Sequence, residues 1–442
     1  MGSLPNLEAP PPSSSRISTV VPATPRCEEK GEHNLNYMDL LMKLHYVRSI
    51  YFFDSEAVQG LTISDLKTPM FPLLDLYSHV AGRVRIAKSG RPFIKCNDAG
   101  VRIAESQCDK TLREWLDENE YSVDELVHDH VLGPDLAFSP LVFVKFTSFK
   151  CGGLSVGLSW AHILGDAFSA FNFITKWSHI LAGQSQPKSL HIPNLVKPQF
   201  LSNFVFDNPI SIKNENVVGE YWLAANDCYV PSHTFHITSS QLHHLVKTTK
   251  SITNTDTKYF EIISATIWKC IAQIRGDIGP KVVTICSKNK NTSKCAENEF
   301  PTNDILLSKI ETNLRPEEYN ILDLMNLIGE KKINENYALE KLVEKGDGKD
   351  DFFVYGAKLT FVDLEEADLY GVKLNGKKPI RANCDLRGVG DQGVVLVFPG
   401  PEDDDGNNGR MIKVSLPGKE LDQLKYKLER EWGIQHYASL TF

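Results

Sequence analysis

Leu154-Ser155-Val156-Gly157-Leu158-Ser159-Trp160-Ala161-His162-Ile163-Leu164-Gly165-Asp166 reads as a strand that runs into a loop. Leu154, Val156, Leu158 and Trp160 alternate with Ser155, Gly157 and Ser159, which is period two with one apolar face. Upstream, Leu141 to Phe146 is a strongly apolar strand, and Lys150-Cys151-Gly152-Gly153 supplies a turn, so the two runs form a hairpin. Downstream of Asp166 the period changes. Ala170, Phe173, Ile174, Trp177, Ile180 and Leu181 mark one face of a helix closed by Gly183. The order strand, short loop, helix places His162 where the strand stops. Strand ends and the loops after them are where folds place chemistry.

His162 and Asp166 form a His-x-x-x-Asp. A neutral imidazole at that place accepts a proton from an alcohol or amine. Asp166 either fixes the loop by bonding backbone N–H groups or holds a cation. A hydrogen-bonded structural histidine is the plainer reading of His162. Gly157-Leu158-Ser159-Trp160-Ala161 falls one residue short of a Gly-x-Ser-x-Gly elbow. Ala161 replaces the second Gly, and the alternating strand is unlike a hydrolase's central strand, which is apolar on both faces. A Ser159 hydrolase is therefore a distant reading. His128-Asp129-His130 with Asp135 lacks the partners of a tetrahedral metal site and reads as a solvated loop. Dinucleotide and P-loop patterns are absent. The acidic turn Asp403-Asp404-Asp405-Gly406 lacks calcium-loop spacing and reads as a hairpin tip.

The chain has 442 residues, 42% hydrophobic and 24% charged, which excludes whole-chain disorder, collagen and coiled coil. A net charge of −8 argues against a nucleic-acid partner. No run approaches the ~20 apolar residues of a membrane span. Met1 to Thr24 lacks the apolar core of a signal peptide, and the C-terminal Ser439-Leu440-Thr441-Phe442 carries no prenylation or retention signal. Nine cysteines without a Cys-x-x-Cys suggest reduced thiols that serve as small buried hydrophobes.

Residues 1–30 read as a disordered Pro/Ser tail, with order beginning at a short strand, Thr19-Val20-Val21-Pro22. A first domain is expected over 31–183, with a helix over Asp39 to Val47 and a strand over Ser49 to Phe53. Pro187, Pro193, Pro198 and Pro209 make 184–216 a crossover linker. A second domain is expected over 217–442. It opens with Glu220 to Ala225 and a strand at Thr234 to Ile237, then a helix at Glu261 to Ile274. The strand Val282 to Cys286 and a polar loop, Lys288 to Phe300, follow. Gly393 to Pro399 pairs with Met411 to Leu416, and a last helix carries Leu421, Leu424, Leu428 and Trp432.

Together these pieces resemble the plant BAHD acyltransferases. Ala81-Gly82-Arg83, Cys96-Asn97-Asp98, Phe149 to Gly153, Ser159 to Asp166, and Trp268 on its helix follow in that family's order. The resemblance implies an α/β fold of two chloramphenicol-acetyltransferase-like domains, each a mixed β-sheet with flanking helices, around a central channel. It implies acyl-CoA as substrate or ligand, with no tightly bound cofactor and no metal. His162 would be the general base and Asp166 would orient the loop. Two departures stand out. The second signature, Asp-Phe-Gly-Trp-Gly, should follow the strand Lys358 to Val362. That place reads Asp368-Leu369-Tyr370-Gly371-Val372, so only Asp368 survives as a remnant. Cys286 stands where the family carries an Arg partner for the motif Asp.

The eceriferum (Glossy-like) branch has this combination. Met38 to Arg48, His130 to Asp135, Leu158 to Asp166 and Gly388 to Phe398 resemble its segments. The branch implies extension of very-long-chain acyl-CoAs for cuticular wax. The partner would be the condensing enzyme (ketoacyl-CoA synthase) of the endoplasmic-reticulum elongase. The chain would then sit peripherally on the cytosolic face of the endoplasmic reticulum, held through that partner, with the cytosol as the alternative. A non-catalytic accessory leads. An acyl-CoA-dependent O- or N-acyltransferase with His162 as base is the alternative.

Overall fold

The computed structural model describes residues 16–25, 31–119, 124–184, 189–190, 208–215, 218–223, 230–248, 259–290, 300–402 and 408–434. Residues 1–15 of the tail, most of the crossover, most of the polar loop after Lys288 and the acidic turn 403–407 lie outside them.

The fold is α/β, built on two large mixed sheets. The first orders its strands Arg16–Val20, Val101–Cys108, Val142–Phe149, Leu154–Ala161, Tyr46–Phe53 and Arg381–Arg387. Among the described residues its only parallel pair is Val101–Cys108 with Val142–Phe149. The second runs Ser232–Ile237, Asn408–Ser415, Val394–Glu402, Thr360–Asp363, Val282–Lys288, Ile305–Glu311 and Ile333–Asn334. Thr360–Asp363 is parallel to both of its neighbours there. A three-stranded sheet (Glu32–Asn34, Pro92–Lys95, Arg83–Ile86) lies beside the first. A two-stranded sheet joins Asp351–Phe353 to Lys213–Glu215, a strand inside the range read as crossover.

The hairpin forms as its alternation requires, with register from Val142↔Trp160 to Ser148↔Leu154. Leu154–Ala161 is nevertheless buried along its whole length. Its apolar side packs in a core that includes Phe146, Phe173 and Trp177. Its small polar side is covered by Leu126 and Val127, in a cluster with Ile50, Phe52 and Trp115. Small residues on that side let the 126–127 backbone come close. The following helix, Ala167–Leu181, buries Ala170, Phe173, Ile174 and Trp177, as its spacing predicts. In the second half, Trp268 is buried on the helix Tyr259–Arg275 and donates to Pro280 O at 2.7 Å. The helix Gly418–Trp432 buries Leu421, Leu424 and Leu428.

Three expectations are corrected. Arg16–Val20, placed in the disordered tail, is an edge strand running antiparallel to Val101–Cys108 from Arg16↔Glu105 to Val20↔Val101. Only Val20 of it is buried, so backbone pairing rather than side-chain burial holds it. The strand read there also extended too far, to Pro22, which has no N–H to give a ladder. The helix read over 39–47 is confined to Tyr37–Leu41, started by a capping box between Asn36 and Asp39. Tyr46 and Val47 belong to the strand Tyr46–Phe53, paired from Tyr46↔Ala161 to Phe53↔Leu154. Lastly, Arg381–Arg387 comes from the second half of the chain and completes the first sheet beside Tyr46–Phe53. The crossover at 184–216 therefore does not divide the two sheets in sequence. Among the described residues no helix is long and apolar enough to cross a membrane.

Candidate active site

His162 opens a short 3-10 turn, His162–Leu164, at the end of the central strand. Its N–H donates to His45 O at 3.1 Å. The side chain is 0% exposed, and Nε2 lies 3.0 Å from the Tyr355 hydroxyl. Tyr355 is itself 3% exposed. Its carbonyl accepts from Gly390 N at 2.9 Å, which fixes the segment that carries it. Cys286 Sγ stands 4.0 Å from the same hydroxyl. The His45 ring meets Tyr355 edge-on at 4.9 Å, and its Nε2 accepts from Val354 N at 3.1 Å.

Burial governs the charge of these groups. It pushes His162 down to about 4, with its own carbonyl and the Asn303 side chain pulling the other way by less. It pushes His45 down to about 3, and the neighbouring His162 adds to that fall. Both rings are neutral at pH 7. Burial, and after it Cys286, holds the Tyr355 phenol well above its ordinary 10. With His162 in the Nδ1–H tautomer, this protonated phenol donates to Nε2. A neutral imidazole aimed at a hydroxyl at 3.0 Å has the geometry of a general base. Here the hydroxyl belongs to the protein.

Asp166 caps the helix behind the motif. One carboxylate oxygen accepts from Ser169 N at 2.9 Å and the other from Asp304 N at 3.2 Å. Its own N–H donates to Thr302 O at 3.1 Å, and Ser169 Oγ donates to the same carbonyl at 3.0 Å. Gly165 has φ of +153° and would place a Cβ 3.0 Å from Thr302 N, so the close approach of 302–304 requires glycine. Asn303 completes the contact. Its Nδ2 donates to His162 O at 2.8 Å and to Asp39 Oδ1 at 2.9 Å. Among the described residues no Lys or Arg pairs with Asp166. The Cys286 thiol, pushed up to about 12 by burial first, is an uncharged neighbour of Asp166. Accordingly burial raises Asp166 to about 6, and Asp39 likewise. The geometry makes Asp166 a loop anchor.

The other sequence candidates go elsewhere. Asp368 is exposed in the turns after Thr360–Asp363, curled over Gly371, and no hydrogen bond or ion pair links it to His162. Ser159 is 4% exposed inside the strand, opposite Arg48 and Phe143, with no sharp turn to present it. The His128 and His130 rings pack on Phe143 at 4.1 and 4.5 Å, Asp129 contacts Arg387, and Asp135 accepts from Ala137 N at 3.0 Å. Those four do not converge on one point. Among the described residues no three His, Cys, Asp or Glu gather to hold a metal. Tyr355, Asn303, Asp39 and His45 were not found as site residues from the sequence. Asp39 and His45 lie in the quoted run Met38 to Arg48, but nothing in any spacing ties residue 303 or 355 to residue 162.

Residues 14–286 match the family described as the Transferase family. The chain is 41% identical over 435 residues to Protein ECERIFERUM 2 of Arabidopsis thaliana, covering 95% of this chain and 98% of that one. It is 38% identical over 427 residues to Protein ECERIFERUM 26 of the same plant, covering 95% and 96%. Among solved structures, Vinorine Synthase superposes with a TM-score of 0.66 at 16% identity, over 94% of this chain and 98% of that one. F. sporotrichioides TRI101, complexed with Coenzyme A and T-2, superposes with a TM-score of 0.67 at 14% identity, over 91% and 98%. At such identities the structural matches show the fold alone, that of the acyltransferases, while the ECERIFERUM proteins match along nearly the whole chain. The chain belongs to the BAHD acyltransferase family and, within it, to the ECERIFERUM branch.

Proposed function

We propose that this protein is an accessory of very-long-chain fatty acid elongation for cuticular wax. It binds the condensing enzyme of the endoplasmic-reticulum elongase and shifts that enzyme's acyl-CoA products to greater length, without transferring an acyl group itself. The observation that carries this reading is the state of His162: its Nε2 is engaged by a buried tyrosine of the same chain. While that contact holds, no external alcohol or amine reaches the nitrogen. The exposed Asp368, and the lack of a Lys or Arg partner for Asp166 among the described residues, point the same way. Acyl-CoA is the ligand class proposed for the interior, bound reversibly, because a solved relative of this fold is complexed with Coenzyme A. Residence on the cytosolic face of the endoplasmic reticulum would come from the condensing enzyme. Without that enzyme the protein would stay in the cytosol.

The second reading is an acyl-CoA-dependent O- or N-acyltransferase. One observation favours it: the neutral His162 ring already holds a hydroxyl at 3.0 Å. Reconstitution separates the two. The elongase and its condensing enzyme are combined with wild type or His162→Ala, the fold of each being checked by circular dichroism. The accessory role predicts that the folded variant still lengthens products, and loss of all lengthening overturns it. Turnover of acyl-CoA onto an acceptor by wild type, falling ~10²-fold or more in His162→Ala, establishes the transferase instead. Co-sedimentation with membranes is expected only when the condensing enzyme is present.

A further inference from the structure

We infer that the condensing enzyme docks on the flank formed by Arg102, Arg85 and the loop 133–139, through a segment that sets carboxylates beside an apolar side chain. The inference rests on the accessory reading, which supplies the partner. The surface itself comes from three arginines and one bare aromatic ring.

Arg83 and Arg85 lie two residues apart on the strand Arg83–Ile86, so they share one of its faces. Arg83 is buried, and its guanidinium donates to the carbonyls of Gly82, Gly100 and Ala99. Arg102 Nη1 reaches the same Ala99 carbonyl at 3.5 Å, the only hydrogen bond of that side chain among the described residues. Arg85 Nη1 donates to Val84 O at 3.1 Å and to Ala137 O at 2.8 Å. Among the described residues none of the three pairs with a carboxylate. Carbonyls satisfy N–H groups without neutralising the charge. Burial, and after it the like charges of Arg102 and Arg85, accordingly pull Arg83 down to about 10. Arg85 and Arg102 are half-buried, so part of each reaches solvent. In a chain of net charge −8, cations left without a counter-charge offer a place to carboxylates from outside.

Phe138 follows the carbonyl that Arg85 holds, and it is 76% exposed. Its loop is pinned from within. Ser139 Oγ accepts from Gly133 N at 2.9 Å and donates to Asp135 O at 2.8 Å, while Phe138 N donates to that same carbonyl at 3.2 Å. Asp135, the one acid of the loop, is turned onto Ala137 N at 3.0 Å. Tyr221, also exposed, flanks the loop: its Cα lies 2.7 Å from where a Cβ on Gly133 would stand. Aromatic and arginine side chains carry most of the binding energy at protein interfaces, and a loop already fixed loses little freedom on docking. A pinned ring beside uncompensated arginines therefore fits an apolar pocket rimmed by acids.

The test uses the full chain and the condensing enzyme in detergent. Affinity is read by biolayer interferometry, and product length in the reconstituted elongase. Phe138→Ser and Arg102→Glu should each weaken binding by about 10-fold or more, the scale of an anchor residue. Wild-type affinity should also fall as salt rises, because the arginines meet carboxylates. Ile278→Ser, which removes an 83% exposed side chain elsewhere, should bind like wild type. The inference falls if Phe138→Ser or Arg102→Glu, with native circular dichroism, binds as tightly as wild type, or if Ile278→Ser weakens binding equally. It falls too if sedimentation shows wild type as a dimer that Phe138→Ser splits, since a second copy then covers the face. Binding of wild type alone to phosphatidylserine vesicles, lost in Phe138→Ser, assigns the face to lipid and overturns the inference as well. Should Arg102→Glu lack native circular dichroism, Arg102→Gln takes its place with the same outcomes. A wild type that still lengthens products while the variants bind unchanged leaves the accessory role standing, whereas a wild type that neither binds nor lengthens ends both.

Discussion

Asn303 serves two buried acceptors with one amide group, the Asp39 carboxylate and the carbonyl of His162. Asn303→Ala leaves both without that donor, so a loss of about 2–4 kcal/mol is expected from urea unfolding. A loss under about 0.5 kcal/mol would show that other groups satisfy them. The charges around it respond to pH in opposite senses. Asp39 and Asp166, raised to about 6, contribute stability that is present below their unfolded value of 3.8 and is lost as pH rises through about 6. His162 and His45, lowered to about 4 and 3, do the reverse. Their contribution is present above 6.5 and is lost as pH falls through 4 and then 3. Between pH 4 and 6 the two pairs oppose each other. Asp166→Asn removes one opposing proton, so its stability should climb more steeply over that window, by up to about 1.4 kcal/mol per pH unit. Melting temperatures taken from pH 4 to 6 check this, and parallel curves for variant and wild type would count against it.

The strand Leu154–Ala161 depends on being small on one side. A Cβ on Gly157 would lie 2.3 Å from Leu126 O. Gly157→Ala should therefore cost about 1–3 kcal/mol in thermal unfolding, as overpacking does. Two residues away, Ser155 Oγ is buried without a hydrogen-bond partner. Ser155→Ala should be neutral or stabilising, since it removes a buried polar group that nothing satisfies. A destabilised Ser155→Ala would reveal a partner for that hydroxyl. The periods of two and 3.6 on either side of His162 made this strand and the helix Ala167–Leu181 legible, because each pattern is written within one element. Tyr46–Phe53 was harder. Leu40, Leu41, Leu44 and Val47 fall on helical spacing, yet pairing with Leu154–Ala161 takes residues 46 and 47 into the sheet. Tertiary pairing outweighs a marginal local preference there.

Across the whole molecule, the first sheet is not complete until the second half contributes Arg381–Arg387. A chain cut in the crossover, residues 1–200 expressed alone, would leave Tyr46–Phe53 as an open apolar edge. Aggregation is expected on size exclusion, with recovery of a soluble 1:1 complex when residues 201–442 are co-expressed. A monodisperse, folded 1–200 fragment would contradict this. The sequence by itself determined the hairpin, the motif helix, the place of His162 and Asp166 between them, the dismantled second signature and the family branch. Each of these is a local order of residues, and local order survives in a linear text. Only the tertiary structure decided that Tyr355 engages His162, that Asn303 joins Asp39 to the motif, and that Asp166 holds two backbone amides and, among the described residues, pairs with no Lys or Arg. Apart from the Ser169 amide on Asp166, those contacts join residues more than a hundred positions apart. Hydrogen bonds at such separations are fixed by the path of the chain, which no period or spacing encodes.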